Sequence, residues 1–152
     1  MKTNFIAILI LLLTLSNCTN SQTPSEVNIP SKDSILKLEM NLSAFGVEAD
    51  DFPSIAVFID FTKDSSFCTS SYYNPSYKGK EYNLSKEEIK RIADLLNKTD
   101  LAKLKTKYTC NKSDQPSSTT IIYTSNHKYI IEDYGLLAEK PFQEIYKVVY
   151  KY

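Results

Sequence analysis

This chain of 152 residues has no tryptophan, a single histidine (His127), three cysteines and three glycines, and its 18 basic side chains cancel its 18 acidic ones. Each shortage narrows what the protein can be. Glycine is too sparse for a phosphate-cradling loop, and no Gly-x-Ser-x-Gly elbow presents a nucleophilic serine. A balanced charge gives no field to gather nucleic acid, whose binders carry clustered basic surface. Lys98, Lys103, Lys105, Lys107 and Lys112 do form a local basic run, but Asp94 and Asp100 interrupt it and Asp114 closes it, as on a solvated helix-and-loop face. One histidine and so few cysteines show no zinc-ligand spacing. Glu48, Asp50 and Asp51 in "VEADDFP" lack the spacing and glycine of a calcium loop. Neither metal nor cofactor is expected.

A long apolar run is also missing. The best one, Phe5 to Leu15, spans 11 residues broken only by Thr14 and follows Lys2. A bilayer crossing needs about 20 residues of helix, whereas the apolar part of an export signal needs about 7 to 15. The run ends in Leu15-Ser16-Asn17-Cys18, which resembles the lipobox of bacterial lipoproteins, with Asn17 departing from the Gly or Ala usual there. The resemblance implies cleavage before Cys18, a diacylglycerol on its sulfur and acylation of its new amino group. Two or more chains hold where one does not, at about 0.8 kcal/mol per buried methylene. Residues 19–32, "TNSQTPSEVNIPSK", have two prolines and almost no apolar periodicity, so they cannot offset their own ordering entropy. They read as a tether reaching a few tens of ångströms, at roughly 5 to 6 Å times the square root of the residue count. No acidic cluster follows Cys18, and such a cluster resembles a surface-export signal. The expected location is therefore the outer membrane, facing the periplasm. The expected division is a signal over 1–17, a lipidated cysteine and tether over 18–32, and one domain over 33–152.

Within that domain, Leu36, Leu38, Met40 and Leu42 alternate with Lys37, Glu39 and Asn41, a strand with one wet face. Residues 43–53 read as a loop. Ile55, Val57, Ile59 and Phe61 mark a second strand, which "TKDS" turns into a third over 66–73. A short strand fits within 77–83. Leu84-Ser85-Lys86-Glu87-Glu88-Ile89 is a capping box with a hydrophobic staple, and Ile89, Ile92, Ala93 and Leu96 follow at helical spacing. Leu101 and Leu104 suggest a short buried turn. After a loop over 106–118, strands over 119–125 and 128–132 flank Asn126-His127 as a hairpin. Pro141 suits a first helical residue, with Phe142, Ile145, Val148, Val149 and Tyr152 as the apolar stripe. The order β-ββ-α-ββ-α predicts an α+β domain, an antiparallel sheet with two main helices packed on one face.

The loop Tyr108-Thr109-Cys110, then Asp114-Gln115-Pro116, a hairpin, and Asp133-Tyr134-Gly135 before a final helix resembles an uncharacterised domain family of bacterial envelope lipoproteins. The resemblance covers roughly Ile35 to the C-terminus and implies fold and location without an activity. Its usual Cys-Phe-Gly-x-Cys-Pro segment is here Ala44-Phe45-Gly46 and, after an insertion, Phe52-Pro53, so both of those cysteines are absent. Of the motif residues, Asp114 can bond backbone amides ahead of it while Pro116 stiffens the turn. Tyr108 belongs to the same loop, and Tyr134 fits a core tyrosine whose hydroxyl is tied to it.

Cys68 and Cys110 remain after Cys18 is spent on lipid. An oxidising compartment invites a disulfide between them, and two independent, partly buried thiols are the alternative. Cys110 as a nucleophile would need a base, and His127 is the sole candidate among histidines. Tyr72, Tyr73, Tyr77 and Tyr82 lie close together around Pro75 and Gly79, either as a binding patch or as ordinary strand tyrosines. The expectation is a lipid-anchored, noncatalytic envelope module that touches the membrane through its lipid and binds another envelope protein. The alternatives are a glycan or small-ligand binder using residues 72–82 and, third, a thiol enzyme at Cys110.

Overall fold

The structure, a computed structural model, describes residues 33–151. The export signal, Cys18 and tether read over residues 1–32 lie outside the described residues, as does Tyr152.

Alternation of apolar and polar side chains builds three consecutive antiparallel strands, β1 (Ile35–Ser43), β2 (Ser54–Asp60) and β3 (Ser65–Ser71). The two-residue β4 (Glu81–Tyr82) pairs with β3. Then come helix α1 (Lys86–Asn97), a 3-10 turn at Leu101–Lys103, β5 (Lys107–Thr109), the hairpin of β6 (Ser117–Thr124) and β7 (Lys128–Tyr134), and helix α2 (Phe142–Val149). The seven strands form one sheet in the order β4-β3-β2-β1-β6-β7-β5. The fold is thus mixed α+β, with the first strand in sequence at the centre of the sheet.

One face of the sheet carries Leu38, Met40, Leu42, Ile55, Val57, Ile59, Cys68, Ile122 and Ile131, and all are buried. Ile89, Ile92 and Leu96 of α1 and Phe142, Ile145 and Val149 of α2 join them in a single apolar cluster. Their periods, two in the strands and 3.6 in the helices, put every one of these positions on the same side. On the other face Phe58, Phe67 and Ile130 remain exposed.

Local signals set the helix ends. Ser85 Oγ accepts from the Glu88 amide at 3.2 Å, and the Glu88 carboxylate accepts from the Ser85 amide at 2.8 Å. Leu84 is buried with Ile89, completing the staple. Pro141, expected as the first helical residue, is instead the residue before α2; its carbonyl accepts from Glu144 and Ile145 amides at 3.0 and 3.1 Å, and the Lys140–Pro141 peptide is cis. Leu101 and Leu104 are only partly buried.

The sheet departs from the expected all-antiparallel pattern at one pair, since β5 runs parallel to β7. The sequence reads this stretch as loop because Lys107-Tyr108-Thr109 is too short to display a period. Partner β7 organises it instead: the Glu132 amide donates to Thr106 O and the Cys110 amide to Tyr134 O, at 2.8 and 2.9 Å.

Candidate functional site

Antiparallel register places Leu42 opposite Ile55 and Ser54 opposite Ser71. The loop between β1 and β2 therefore emerges at the same end of the sheet as the segment leaving β3. They face each other across a cleft of about 500 Å³ lined by Phe45, Asp50, Phe52, Ser54, Tyr72 and Tyr73 among others.

Short-range hydrogen bonds shape both walls. Ser54 Oγ accepts from the Ala44 amide at 3.1 Å, Ser43 Oγ accepts from the Phe45 amide at 3.2 Å, and backbone turns close at Val47 and Phe52. Gly46 supplies the positive φ of 89° that this loop needs, with nothing within 4 Å of where a Cβ would sit. Across the cleft, Asn74 Oδ1 accepts from the Ser76 amide at 2.9 Å. Asn74 Nδ2 then donates to Asp50 Oδ2 at 3.1 Å, joining one wall to the other. At the rim, Phe45 is 93% and Tyr73 98% exposed.

The four-tyrosine patch expected from the sequence is divided. Tyr72 and Tyr73 line the cleft. Tyr77 packs against Tyr72 with ring centroids 5.5 Å apart. Tyr82 leaves the group, because β4 turns it against the core, where its hydroxyl donates to Val149 O at 2.7 Å and burial pushes its phenol up to about 12. Phe45 and Phe52 also line the cleft, and two phenylalanines in a loop that carries three acids are the signal available in the sequence.

The loop carrying Tyr108, Asp114 and Pro116 and the stretch Asp133-Tyr134-Gly135 form one structural knot. Tyr134 Oη accepts from the Gln115 amide at 3.2 Å, and Pro116 O accepts from the Gly135 amide at 2.8 Å. Gly135, at φ 94°, lies against Cys110, whose Cβ would be 2.6 Å from an added Cβ. Tyr108 Oη donates to Glu139 at 3.3 Å. Asp114 differs from expectation: it takes a left-handed φ of 58°, and among the described residues its carboxylate makes no hydrogen bond. Its contribution is backbone geometry, which Asp tolerates better than most residues.

Asp133 is the buried acid of the Asp133-Tyr134-Gly135 stretch. It is 1% exposed, and its two oxygens accept from the Leu137 and Ala138 amides at 2.7 and 2.8 Å and from Tyr146 Oη at 3.0 Å. Burial, then the Asp133 charge, drives the Tyr146 phenol far above its ordinary range. Nearby, Ser118 Oγ and Tyr150 Oη are 2.6 Å apart. The Asp133 bonds hold the β7–α2 connection in place, and the Ser118–Tyr150 bond ties the end of α2 to β6.

The thiols stand apart. Cys68 is buried in β3, Cys110 follows β5, and both are free, so the Cys68–Cys110 disulfide is not formed. Five inter-strand steps separate β3 from β5; at about 4.8 Å each they place the chains roughly 24 Å apart, far beyond a disulfide's reach. Burial raises the Cys68 thiol to about 11. Cys110 and His127 flank opposite ends of β7, separated by roughly 20 Å of strand. His127 instead places Nδ1 2.6 Å from Asp33 Oδ2. The same carboxylate accepts from Thr124 and Ser125 hydroxyls at 3.0 and 2.9 Å and from Asn126 Nδ2. His127 foremost, with those three donors, holds Asp33 down at about 2 against a smaller effect of burial.

Among the described residues no group of three or more His, Cys, Asp and Glu is placed to hold a metal. The cleft offers rings, hydroxyls and one carboxylate, a chemistry suited to recognition. Neither the curated proteins nor the solved structures contain a match to the chain. A model of the domain of unknown function DUF6438 matches residues 49–152, from within the β1–β2 loop to the end, leaving the central strand β1 outside it. With more than half of its length under that model, the chain belongs to the DUF6438 family.

Proposed function

We propose that this protein is a lipid-anchored, noncatalytic module of the bacterial cell envelope that binds another envelope protein through the cleft between residues 44–53 and 72–77. The observation that carries the reading is the pair Phe45 and Tyr73, 93% and 98% exposed at the rim of a cleft whose walls are joined by Asn74 and Asp50. Large aromatics supply much of the energy of protein interfaces when a partner desolvates them. Exposing two of them on one rim has no benefit for folding. The anchor rests on Cys18 and its lipobox-like surroundings, and the outer membrane facing the periplasm is the location it serves.

The test uses the full chain, tagged at its C-terminus, in its native envelope. Crosslinking and solubilisation recover a partner from the unaltered protein, and the double variant Phe45→Ala/Tyr73→Ala loses it. Cys18→Ala leaves the membrane fraction. A partner held undiminished without both rings would sink the assignment of the cleft. A second reading, glycan binding in the same cleft, is favoured by Tyr72 and Tyr73 standing beside Ser54 and Asp50, rings to stack beside groups that hydrogen-bond hydroxyls. It predicts retention on immobilised glycan in place of a crosslinked protein.

A further inference from the structure

We infer that the cleft receives an arginine side chain of the partner protein, stacked on Phe45 or Tyr73 and paired with Asp50. The inference rests on the reading of the cleft as a protein-recognition site and gives that partner a chemistry.

Charge is the first argument. Asp50 is the one charged side chain lining the cleft, and Glu48 and Asp51 are exposed on the same loop. No lysine, arginine or histidine lines it. On the facing segment, Lys80 is drawn toward the Tyr82 ring, 6.0 Å from its centroid, and Lys78 is outside the lining. An anionic ligand would meet uncompensated carboxylates there, and a purely apolar one would strip water from Asp50 without replacing it.

Hydrogen-bonding capacity is the second. Asn74 occupies Asp50 Oδ2, and among the described residues nothing donates to Oδ1. A guanidinium carries donors and no acceptor, and its flat cation suits an aromatic face and a carboxylate together.

The third argument comes from three of this chain's other rings. Lys37 lies over Phe58 at 5.9 Å, Lys128 over Tyr123 at 5.3 Å and Lys151 over Tyr82 at 5.9 Å. Phe45 and Tyr73 have no cation over them among the described residues, although they are the most exposed rings described. Here the cation is left for a partner to bring.

The experiment is an amide chemical-shift titration of the isotope-labelled full chain in detergent. Three acetylated and amidated pentapeptides are added, Gly-Gly-X-Gly-Gly with X as Arg, Gln or Glu, so that terminal charges play no part. The Arg peptide shifts amides of residues 44–53 and 72–77 saturably, the Glu peptide does not, and the response weakens as salt rises through the range where the Debye length shrinks from about 30 to 8 Å. Phe45→Ala and Tyr73→Ala each weaken the Arg response, the ring that carries the stack by about fivefold or more. Asp50→Asn, which keeps an acceptor for Asn74, removes most of the salt dependence.

Equal responses to Arg, Gln and Glu, or shifts confined to residues outside the two loops, overturn the inference. A neutral chito-oligosaccharide that shifts the same amides when the Arg peptide does not also overturns it, while keeping the cleft as a recognition site. Failure of the underlying reading looks different: the envelope partner then stays crosslinked when both rings are gone.

Discussion

Gly135 shows at a single position how the Asp133-Tyr134-Gly135 stretch is held. Its φ of 94° is a conformation L side chains rarely adopt, and an added Cβ would meet Cys110 Cβ at 2.6 Å. Gly135→Ala is expected to cost about 2 kcal/mol or more, combining left-handed strain with the displacement of Cys110. Urea unfolding followed by circular dichroism measures it. Asp133 is the other residue on which the knot depends. Asp133→Ala would leave the Leu137 and Ala138 amides and the Tyr146 hydroxyl without their acceptor. At about 1 to 3 kcal/mol for each buried unsatisfied group, a loss of roughly 3 kcal/mol or more is expected. A variant that unfolds at the same urea concentration as the unaltered protein would remove Asp133 from this role. The sequence displays the Asp-Tyr-Gly stretch plainly. It does not reveal that Asp133 points inward to cap the β7–α2 connection, because its acceptor role is fixed by residues four, five and thirteen positions further on.

At the scale of the element, what is local is legible. The β2–β3 hairpin follows from alternation on either side of "TKDS", and the register keeps Val57 opposite Cys68 on the buried face. Helix α1 begins where its capping box says it should. Ser85→Ala is expected to lower stability by about 1 kcal/mol. Ile92→Ala, at 0% exposure on the buried face, should cost about 2 to 5 kcal/mol. Thermal unfolding of the two variants side by side checks that ordering, and a cap variant worse than the core variant would contradict this account of α1. What is not legible depends on pairing between distant segments. Nothing in Lys107-Tyr108-Thr109 signals a strand, since its order comes from β7, which lies 25 residues later in register. The same cause hides the cleft: Phe45 and Tyr73 come together only because β1, β2 and β3 pair in one particular register. The two spare cysteines suggest a bond for the opposite reason, that composition alone cannot see five strand steps between them.

For the described domain as a whole, β1 sets a direction. The chain enters at Asp33, held by the β6–β7 turn, and passes along the nine residues of β1 before reaching the loop that forms the cleft. At about 3.4 Å per residue, entry point and cleft stand roughly 27 Å apart at opposite ends of the central strand. The proposed partner would therefore bind at the opposite end of β1 from Asp33. The clamp at the entry point is electrostatic and titratable. Asp33 is held at about 2 in the folded protein against an ordinary 3.8. Because the folded value is the lower one, the clamp's contribution is complete above the unfolded value and disappears as pH falls through the folded one. The window is therefore about 4 down to 2, the range over which Asp33 gains its proton and loses the bonds from Thr124, Ser125, Asn126 and His127. Hydrogen exchange should show the amides of Thr124, Ser125 and His127 protected at pH 5 and progressively exposed across that window. Asp33→Asn should show weaker protection of the same amides at pH 5 and no step between pH 4 and 2. A step of equal size in Asp33→Asn would assign the transition to another carboxylate and leave the entry clamp without its proposed charge.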